Sequence, residues 1–308
     1  ATESGKEVGN LILGEVGFSK NTKIVTGGGD QQCAALGVGV VKPGRMKCTT
    51  GTGSFILGYL DEPTFDPDRK VLCSCHTVPG TWVQEASIFT SGAVLRWARD
   101  KLGLGEKIEA LLRESRDEKC DPYDLMTQRA SETKPGSNGL LVLPHFIGAG
   151  APHWNPQARG VIFGLELGTK RGDVYRSILE GVAMEVKKNV RVFKNLGMEP
   201  KEMRITGGGS RSSLWNQSMA DVININCGRG ELEQSTAVGA AILATYGVGE
   251  FDDIANAADQ MANITQVWKP KAENVKIYEK LFGINQKLYE KLDDAGLYDD
   301  LDAFHNGE

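Results

Sequence analysis

The 308-residue sequence predicts a mixed α/β fold. Short apolar, β-branched runs come first in a meander, and from about residue 90 such runs alternate with segments of helical periodicity. Glycines lie between many of these segments: the chain has 38, about 12% against a usual ~7%, without the Gly-X-Y period of collagen. An alternation of strands and helices of this kind indicates helices packed in layers on a sheet.

The first part of the chain supplies the meander. Four apolar runs predict strands, at residues 22–27, 45–50, 53–59 and 71–78. Only a glycine turn separates the second run from the third, which is typical of a hairpin. Between the first and second runs, Asp30 opens a predicted helix.

Helical periodicity dominates after Thr90. It predicts helices at residues 94–102, 106–131, 174–190, 214–222 and 236–246 and over the last forty residues. In the helix at 174–190 a valine or isoleucine recurs every fourth residue, so one face is apolar. Three more strands are predicted, at residues 140–144, 203–206 and 222–227.

Composition excludes several classes of protein. The formal charge of -5 gives no basic surface for nucleic acid or for an anionic membrane. The longest apolar stretches fall short of the ~18 residues that a spanning helix needs, so we expect a cytoplasmic protein with no membrane contact. The six cysteines include one close pair, Cys73 and Cys75, whose spacing fits neither a zinc knuckle nor a CxxC motif, and we assign no metal site.

Two TGGG segments, at residues 26–29 and 206–209, each end an apolar strand and precede a predicted helix. Such a turn gathers free backbone N–H groups and the positive end of a helix dipole, which attracts phosphate, although glycines also serve a tight turn alone. Neither segment completes GxGxxG, and the P-loop, HRD, DFG and GxSxG motifs are absent. Asp30 follows the first segment, where a carboxylate can accept a proton from an attacking hydroxyl or cap the helix.

The residues around these segments resemble the FGGY family of carbohydrate kinases. GGGDQQCAALGVGVVKPG and TTGTGSF are similar to its core, and GVIFGLELGTKRGDVYRSILE fits its second signature. ITGGGSRSSLWNQSMADV and EQSTAVGAAILA resemble its nucleotide-binding end, so the resemblance spans residues 20–250. It implies an actin-like, ribonuclease-H-like ATPase fold, ATP with Mg²⁺, and phosphorylation of a sugar or polyol hydroxyl.

The resemblance also implies roles for individual residues. Asp30 aligns with the catalytic base of the family and Gln31 with its substrate-contacting neighbour, while Phe55 borders the substrate. The positions that align with nucleotide contacts are Gly51, Thr52, Gly53, Gly92, Gly208, Gly209 and Ser212. His76 and His145 are expected to be structural.

Family members begin with a domain that carries a DxGT-type phosphate loop and most of the sugar-binding residues, and this sequence contains no such loop. We therefore expect residues 1–42 to be the end of that N-terminal domain, carrying the catalytic Asp segment. Residues 43–308 are expected to form the C-terminal nucleotide-binding domain with its terminal helices. The expected partners are the missing N-terminal domain, without which the chain is inactive, and a second copy in a homodimer.

Several acceptors remain open. A ketopentose such as xylulose is favoured, since residues 65–80 and 267–281 are similar to pentulose kinases of the xylulose type and to autoinducer-2 kinases. GDQQ and TGTGSF are more similar to glycerol kinases, which keeps glycerol or another polyol as an alternative. A non-catalytic nucleotide-binding regulatory module is a further alternative, but it would need no base at Asp30. A dinucleotide-dependent dehydrogenase is disfavoured by the broken glycine fingerprint.

Overall fold

A computed structural model describes Gly5 and residues 7–9, 21–231 and 233–307. Its strands are β1 (Glu7–Gly9), β2 (Ile24–Val25), β3 (Arg45–Thr50), β4 (Ser54–Leu60), β5 (Leu72–Cys75), β6 (Trp82–Ile88), β7 (Leu141–Leu143), β8 (Val161–Phe163), β9 (Glu202–Thr206), β10 (Asn226–Gly230) and β11 (Ile264–Trp268). Its helices are α1 (Asp30–Gly37), α2 (Gly92–Lys101), α3 (Leu104–Glu114), α4 (Pro122–Ser131), α5 (Arg171–Asn195), α6 (Ser213–Ile223), α7 (Ser235–Gly247), α8 (Ile254–Met261), α9 (Ala272–Asp294) and α10 (Leu297–Asn306).

A seven-stranded mixed sheet organises the chain, in the order β11-β10-β9-β3-β4-β6-β5. The predicted β3–β4 hairpin is confirmed, and its pairing closes at Thr50 and Ser54 around the glycine turn. The predicted meander is wrong in its order: β6, which was not predicted, pairs antiparallel between β4 and β5, and β2 pairs with β1 in a separate sheet. The later strands β9 and β10 run parallel to β3 and to each other, with α6 as their crossover. The antiparallel strand β11 completes that edge.

Helices cover both faces of this sheet. On one face, side chains of β3 and β4 such as Met46 and Ile56 pack with α5, α6 and α9. On the other face, Leu57 and Tyr59 of β4 pack with residues of α1 and of the segment that follows it. Because side chains alternate along a strand, neighbouring residues of β3 face opposite layers. Residues 45, 47 and 49 therefore face the side on which α1 lies.

The helices α1 and α7 meet at two glycines. A methyl group built on Gly37 would lie 1.9 Å from the carbonyl oxygen of Ser235, and one built on Gly239 would lie 1.9 Å from that of Cys33. The two backbones thus approach as closely as glycine alone permits. Leu36, Ile242 and Leu243 are buried in the cluster around this crossing.

The terminal helix α9 packs inside the molecule. Tyr278 and Phe282 are fully buried in the cluster that they share with α5 and α6. The Tyr278 hydroxyl donates to Glu180 at 2.6 Å, and Arg176 donates to the same carboxylate at 2.7 Å. A buried charge of this kind requires paired partners, which these contacts provide.

Some predicted boundaries are wrong. The single helical region at 106–131 is two helices, and the side chain of Asp121 caps the second by accepting from the backbone N–H of Tyr123 at 2.8 Å. The strand predicted at 222–227 begins only at residue 226, because residues 222 and 223 end α6 and Asn224 has a φ of 56°. The second TGGG segment leads into a short 3₁₀ turn before α6, not directly into an α-helix.

Within the described residues, every helix is too short or too polar to cross a membrane. The same part of the chain contains no group of three or more His, Cys, Asp or Glu residues arranged to hold a metal ion.

Candidate active site

The glycine turn between β3 and β4 is bonded to the start of α2. The backbone N–H of Gly51 donates to the carbonyl of Gly53 at 2.8 Å, which closes the turn. The N–H of Gly92 donates to the carbonyl of Gly51 at 2.9 Å, and the N–H of Ser91 to that of Thr52 at 2.8 Å. Thr52 itself is exposed. The structure therefore brings together the four predicted residues Gly51, Thr52, Gly53 and Gly92, although Gly92 is remote in sequence.

The second glycine turn lies against the first. It follows β9, which pairs with β3, and a methyl group built on Gly209 would lie 2.6 Å from Cγ2 of Thr50. Gly208 is exposed, and a methyl group there would meet no atom within 4 Å. The backbone at Gly208 is thus open to a ligand, whereas Gly209 is packed against the strand that precedes the first turn.

Ser212 has a structural task in addition to its predicted one. It is the N-cap of α6, and its hydroxyl accepts a hydrogen bond from the backbone N–H of Trp215 at 3.2 Å. The hydroxyl hydrogen is not used by that bond, so the group still has a donor for a ligand. Its contact with a nucleotide stays a prediction.

Asp30 is the first residue of α1 and is exposed. Gly29 occupies the N-cap position, so the interpretation of Asp30 as the cap residue is wrong. One oxygen of its carboxylate accepts from the backbone N–H of Gln31 at 2.8 Å. The rest of the carboxylate is exposed at the N-terminal end of the helix.

A hydrogen bond from Lys47 holds the side-chain amide of Gln31. The ammonium of Lys47, on β3, donates to Oε1 of Gln31 and, at 2.8 Å, to the hydroxyl of Thr49. Lys47 is fully buried, and this burial lowers its pKa to about 8. Lys47 is not among the residues predicted from the sequence, where its only signal is a lysine inside a predicted strand, RMKCTT.

A cleft of about 580 Å³ is lined by Gln31 and by the first glycine turn. Five predicted residues line it: Gln31, Gly51, Thr52, Gly53 and Phe55. Five residues that the sequence did not indicate complete it: Thr49, Ser87, Ile88, Phe89 and Ile147. Asp30, Gly92, Gly208, Gly209 and Ser212 lie outside its lining.

The walls of the cleft differ in chemistry. The turn and the side chains of Gln31 and Thr49 are polar, while Phe55, Phe89 and Ile147 are apolar, and Phe55 and Ile147 are exposed. The ring of Phe89 packs edge-on against Trp154 at 6.0 Å, and the Trp154 indole donates to the carbonyl of Lys70 at 2.8 Å. Such a cleft offers hydrogen-bonding groups that can orient a polar ligand next to apolar surface.

The two histidines expected to be structural are buried. His76 bonds the carbonyl of Val40 at 2.7 Å, and burial lowers its pKa to about 4. His145 lies next to Glu185, with its ring edge-on to Tyr289. Burial lowers the pKa of His145 as well, so both rings are held neutral at pH 7.

A family profile described as the C-terminal domain of the FGGY family of carbohydrate kinases matches residues 46–248. The chain belongs to this family. Among curated relatives, it is 28% identical over 292 residues to the xylulose kinase of Staphylococcus epidermidis, a match that covers 94% of the chain and 56% of the relative. It is 35% identical over 270 residues to the gluconokinase of Bacillus licheniformis, covering 86% and 51%. The chain thus spans about half the length of the curated relatives it matches.

Solved structures agree on the fold. The ligand-bound xylulose kinase of Lactobacillus acidophilus superposes with a TM-score of 0.85 at 23% identity, over 97% of this chain and 58% of that one. The glycerol kinase of Plasmodium falciparum with ADP superposes with a TM-score of 0.74 at 24% identity, over 88% and 52%. The predicted actin-like fold of an FGGY kinase is therefore confirmed. Gluconokinase is a relative that the sequence reasoning did not name.

Proposed function

We propose that this chain forms the nucleotide-binding half of an ATP-dependent carbohydrate kinase and supplies its catalytic base. The observation that carries the proposal is the convergence of two glycine turns, at 51–53 and 207–209, on Thr50 at the end of β3. The start of α2 is bonded to the first turn, and Gln31 shares a cleft with it. Backbone N–H groups at such turns are a phosphate site that needs no basic side chain.

In the proposed reaction, Asp30 accepts the proton of the acceptor hydroxyl while the γ-phosphoryl group of ATP moves in line to that oxygen, its bond to the bridging oxygen breaks, and ADP leaves. The exposed hydroxyl of Thr52 and the amides of the glycine turns other than those of Gly51 and Gly92, which donate to backbone carbonyls, hold the phosphates, and Gln31 orients the acceptor. Mg²⁺ would enter with the nucleotide, since it is commonly held by phosphates and water and needs no all-protein cage. The lack of a metal-ligating cluster among the described residues is compatible with that arrangement.

The acceptor that we favour is a ketopentose such as xylulose. The match to xylulose kinase extends over nearly the whole chain, and the cleft combines polar donors with the apolar surface of Phe55. A sugar acid is the second candidate, because the gluconokinase of Bacillus licheniformis is more identical to this chain over a somewhat shorter stretch. Glycerol or another polyol, and an autoinducer-2 type acceptor, stay alternatives on the sequence similarities described above. A substrate panel of xylulose, gluconate, glycerol and erythritol distinguishes these candidates.

We also propose that the chain is inactive alone and acts with an N-terminal domain that it does not contain, with the division near residue 42. The missing domain is supported by the relatives, which are nearly twice as long, and the division near residue 42 by the sequence resemblance alone. The test is an ATP-coupled assay of the 308-residue chain by itself and of the same chain joined to an N-terminal half of the family. Robust phosphorylation by the chain alone would overturn this part of the proposal.

Nucleotide binding is tested on the chain as it is. Titration calorimetry with Mg-ADP should show binding, and Gly208→Leu should weaken it, since the side chain would project from the open turn. Gly283→Leu is a matched control, because Gly283 on α9 also has free space around it and is remote in the fold from the glycine turns. A folded chain that binds no Mg-ADP would refute the nucleotide site.

A further inference from the structure

The ammonium of Lys47 differs from those of the other buried lysines. Lys187 pairs with Glu279 at 2.6 Å, and Lys188 pairs with Glu185 at 2.7 Å. Lys47 is more deeply buried than either, yet no carboxylate of the described residues lies within 4.0 Å of it. Its bonded partners are neutral: Oε1 of Gln31 and the hydroxyl of Thr49. An unpaired buried charge is costly, so its retention calls for a task other than stability.

The chemistry of the ammonium dictates how its partners are oriented. A lysine ammonium only donates hydrogen bonds, so Gln31 must turn its amide oxygen towards Lys47. The amide nitrogen of Gln31, with two N–H donors, is then directed away from Lys47. In the same way Thr49 spends an acceptor lone pair on Lys47 and keeps its hydroxyl hydrogen to donate. Gln31 and Thr49 line the cleft, whereas Lys47 lies behind them.

We propose that Lys47 is a positioning residue for the acceptor: it fixes the amide of Gln31 so that the cleft presents hydrogen-bond donors beside Asp30. This inference rests on the proposed kinase function. The matching substrate class is an alcohol with a second oxygen next to the reacting hydroxyl. The reacting hydroxyl gives its proton to Asp30, and the neighbouring oxygen accepts from Gln31. Without Lys47 the side-chain amide of Gln31 is free to rotate, so the cleft no longer presents its N–H donors in a fixed direction.

The kinetic test uses the active kinase that contains this chain. Lys47→Met keeps the length of the side chain and removes its donors. It should raise the KM for the acceptor roughly 10–100-fold, the range for a hydrogen bond held by a charged group, while the KM for ATP stays within about twofold. Lys187→Met is the matched control, since it removes another buried ammonium at a distance from the cleft. Its acceptor KM should stay at the wild-type value.

A double-mutant cycle separates positioning from a general structural role. In a Gln31→Leu background, Lys47→Met should have little further effect on the acceptor KM, because Lys47 acts through the Gln31 amide. Additive effects of the two substitutions would overturn the inference. So would an unchanged acceptor KM, or an equal loss in kcat and in both KM values, in Lys47→Met.

A second readout does not require activity. In ¹H–¹⁵N spectra of the 308-residue chain, the side-chain amide signals of Gln31 are assigned by their loss in Gln31→Leu. Lys47→Met should move them towards the shifts of a free glutamine, and Lys187→Met should not. Unchanged signals in Lys47→Met would overturn the inference. If the wild-type kinase phosphorylates no acceptor, the proposed function fails, and these signals alone decide whether Lys47 positions Gln31.

Discussion

Replacing Lys47 by methionine should stabilise the protein. Burial lowers the pKa of Lys47 from its ordinary 10.5 to about 8, and at ~1.4 kcal/mol for each pH unit this places the cost of the buried charge at about 3 kcal/mol. Methionine is apolar and similar in length, so it avoids that cost. Loss of the hydrogen bonds to Gln31 and Thr49 offsets part of the gain, but both side chains border a cleft that water can enter. A net increase of about 2 kcal/mol in the free energy of unfolding at pH 7 is expected.

The gain should depend on pH in a defined direction. The folded pKa lies below the unfolded one, so between about pH 8 and 10.5 the unfolded chain holds a proton that the folded chain has lost. The contribution of Lys47 to wild-type stability therefore rises with pH across this window, and its penalty is fully present below pH 8. The advantage of Lys47→Met should be largest at pH 7 and should shrink by pH 9.5.

Urea unfolding followed by circular dichroism at pH 7 and pH 9.5 measures both quantities. Lys188→Met serves as the contrast, since it would leave the buried carboxylate of Glu185 without its ion-pair partner and should lower stability. A loss of more than about 1 kcal/mol in Lys47→Met at pH 7, or an advantage that does not change with pH, would refute the reasoning.

Three further outcomes are expected. In the active kinase, Asp30→Asn should reduce turnover by ~10²–10⁴ and leave nucleotide affinity nearly unchanged; weakened affinity at normal turnover would instead mean a structural role. Gly208→Leu should leave the unfolding midpoint in place and weaken Mg-ADP about tenfold, whereas Gly209→Ala should cost ~1–3 kcal/mol of stability, because its methyl group would lie 2.6 Å from Thr50. A destabilised Gly208→Leu with unchanged Mg-ADP affinity, together with a Gly209→Ala of unchanged stability and weakened Mg-ADP binding, would contradict the open and packed roles given to these two glycines; calorimetry and thermal unfolding measure both. His153 is stacked on Tyr289, and burial lowers its pKa to about 4, so its stabilising contribution is present above pH 6.5 and is lost towards pH 4. His153→Phe should flatten the acid side of the stability profile, and an unaltered profile would exclude this histidine as a cause of acid sensitivity.

The sequence predicted those parts of the site, a turn and a helix start, that depend only on residues close together in the chain. The turn at Gly51 and Gly53 follows from two strand-like runs, RMKCTT and SFILGYL, that only Gly-Thr-Gly separates, and the start of α1 at Asp30 follows from the change of periodicity. The wrong strand at 222–227 has a physical cause in Asn224, which ends α6 in a left-handed conformation inside a run of apolar residues. β-branched composition alone does not distinguish the end of a helix from a strand.

Contacts between distant segments were beyond the reach of those patterns. The bond from Gly92 to Gly51 joins residues on separate elements, and only the family resemblance associated them. Phe89 and Ile147 border the cleft because strands and loops far apart in sequence meet there. In the sequence Lys47 is a polar residue inside a predicted strand. Only the structure shows that its ammonium bonds Gln31, a residue of the cleft.

The glycine crossing of α1 and α7 has a consequence for the accuracy of the reaction geometry. A contact made by backbone atoms alone has no rotamers to change, so it leaves little freedom for α1 to slide on α7. Gly37 lies seven residues along α1 from Asp30, a distance of about 10 Å on a helix. A methyl group added at this crossing would push α1 and α7 apart, and because α1 is rigid, the displacement would reach the carboxylate of Asp30. Since a misplacement of about 1 Å can cost ~10²-fold in rate, the proposed role of Asp30 as base makes its accuracy depend in part on two residues that have no side chain.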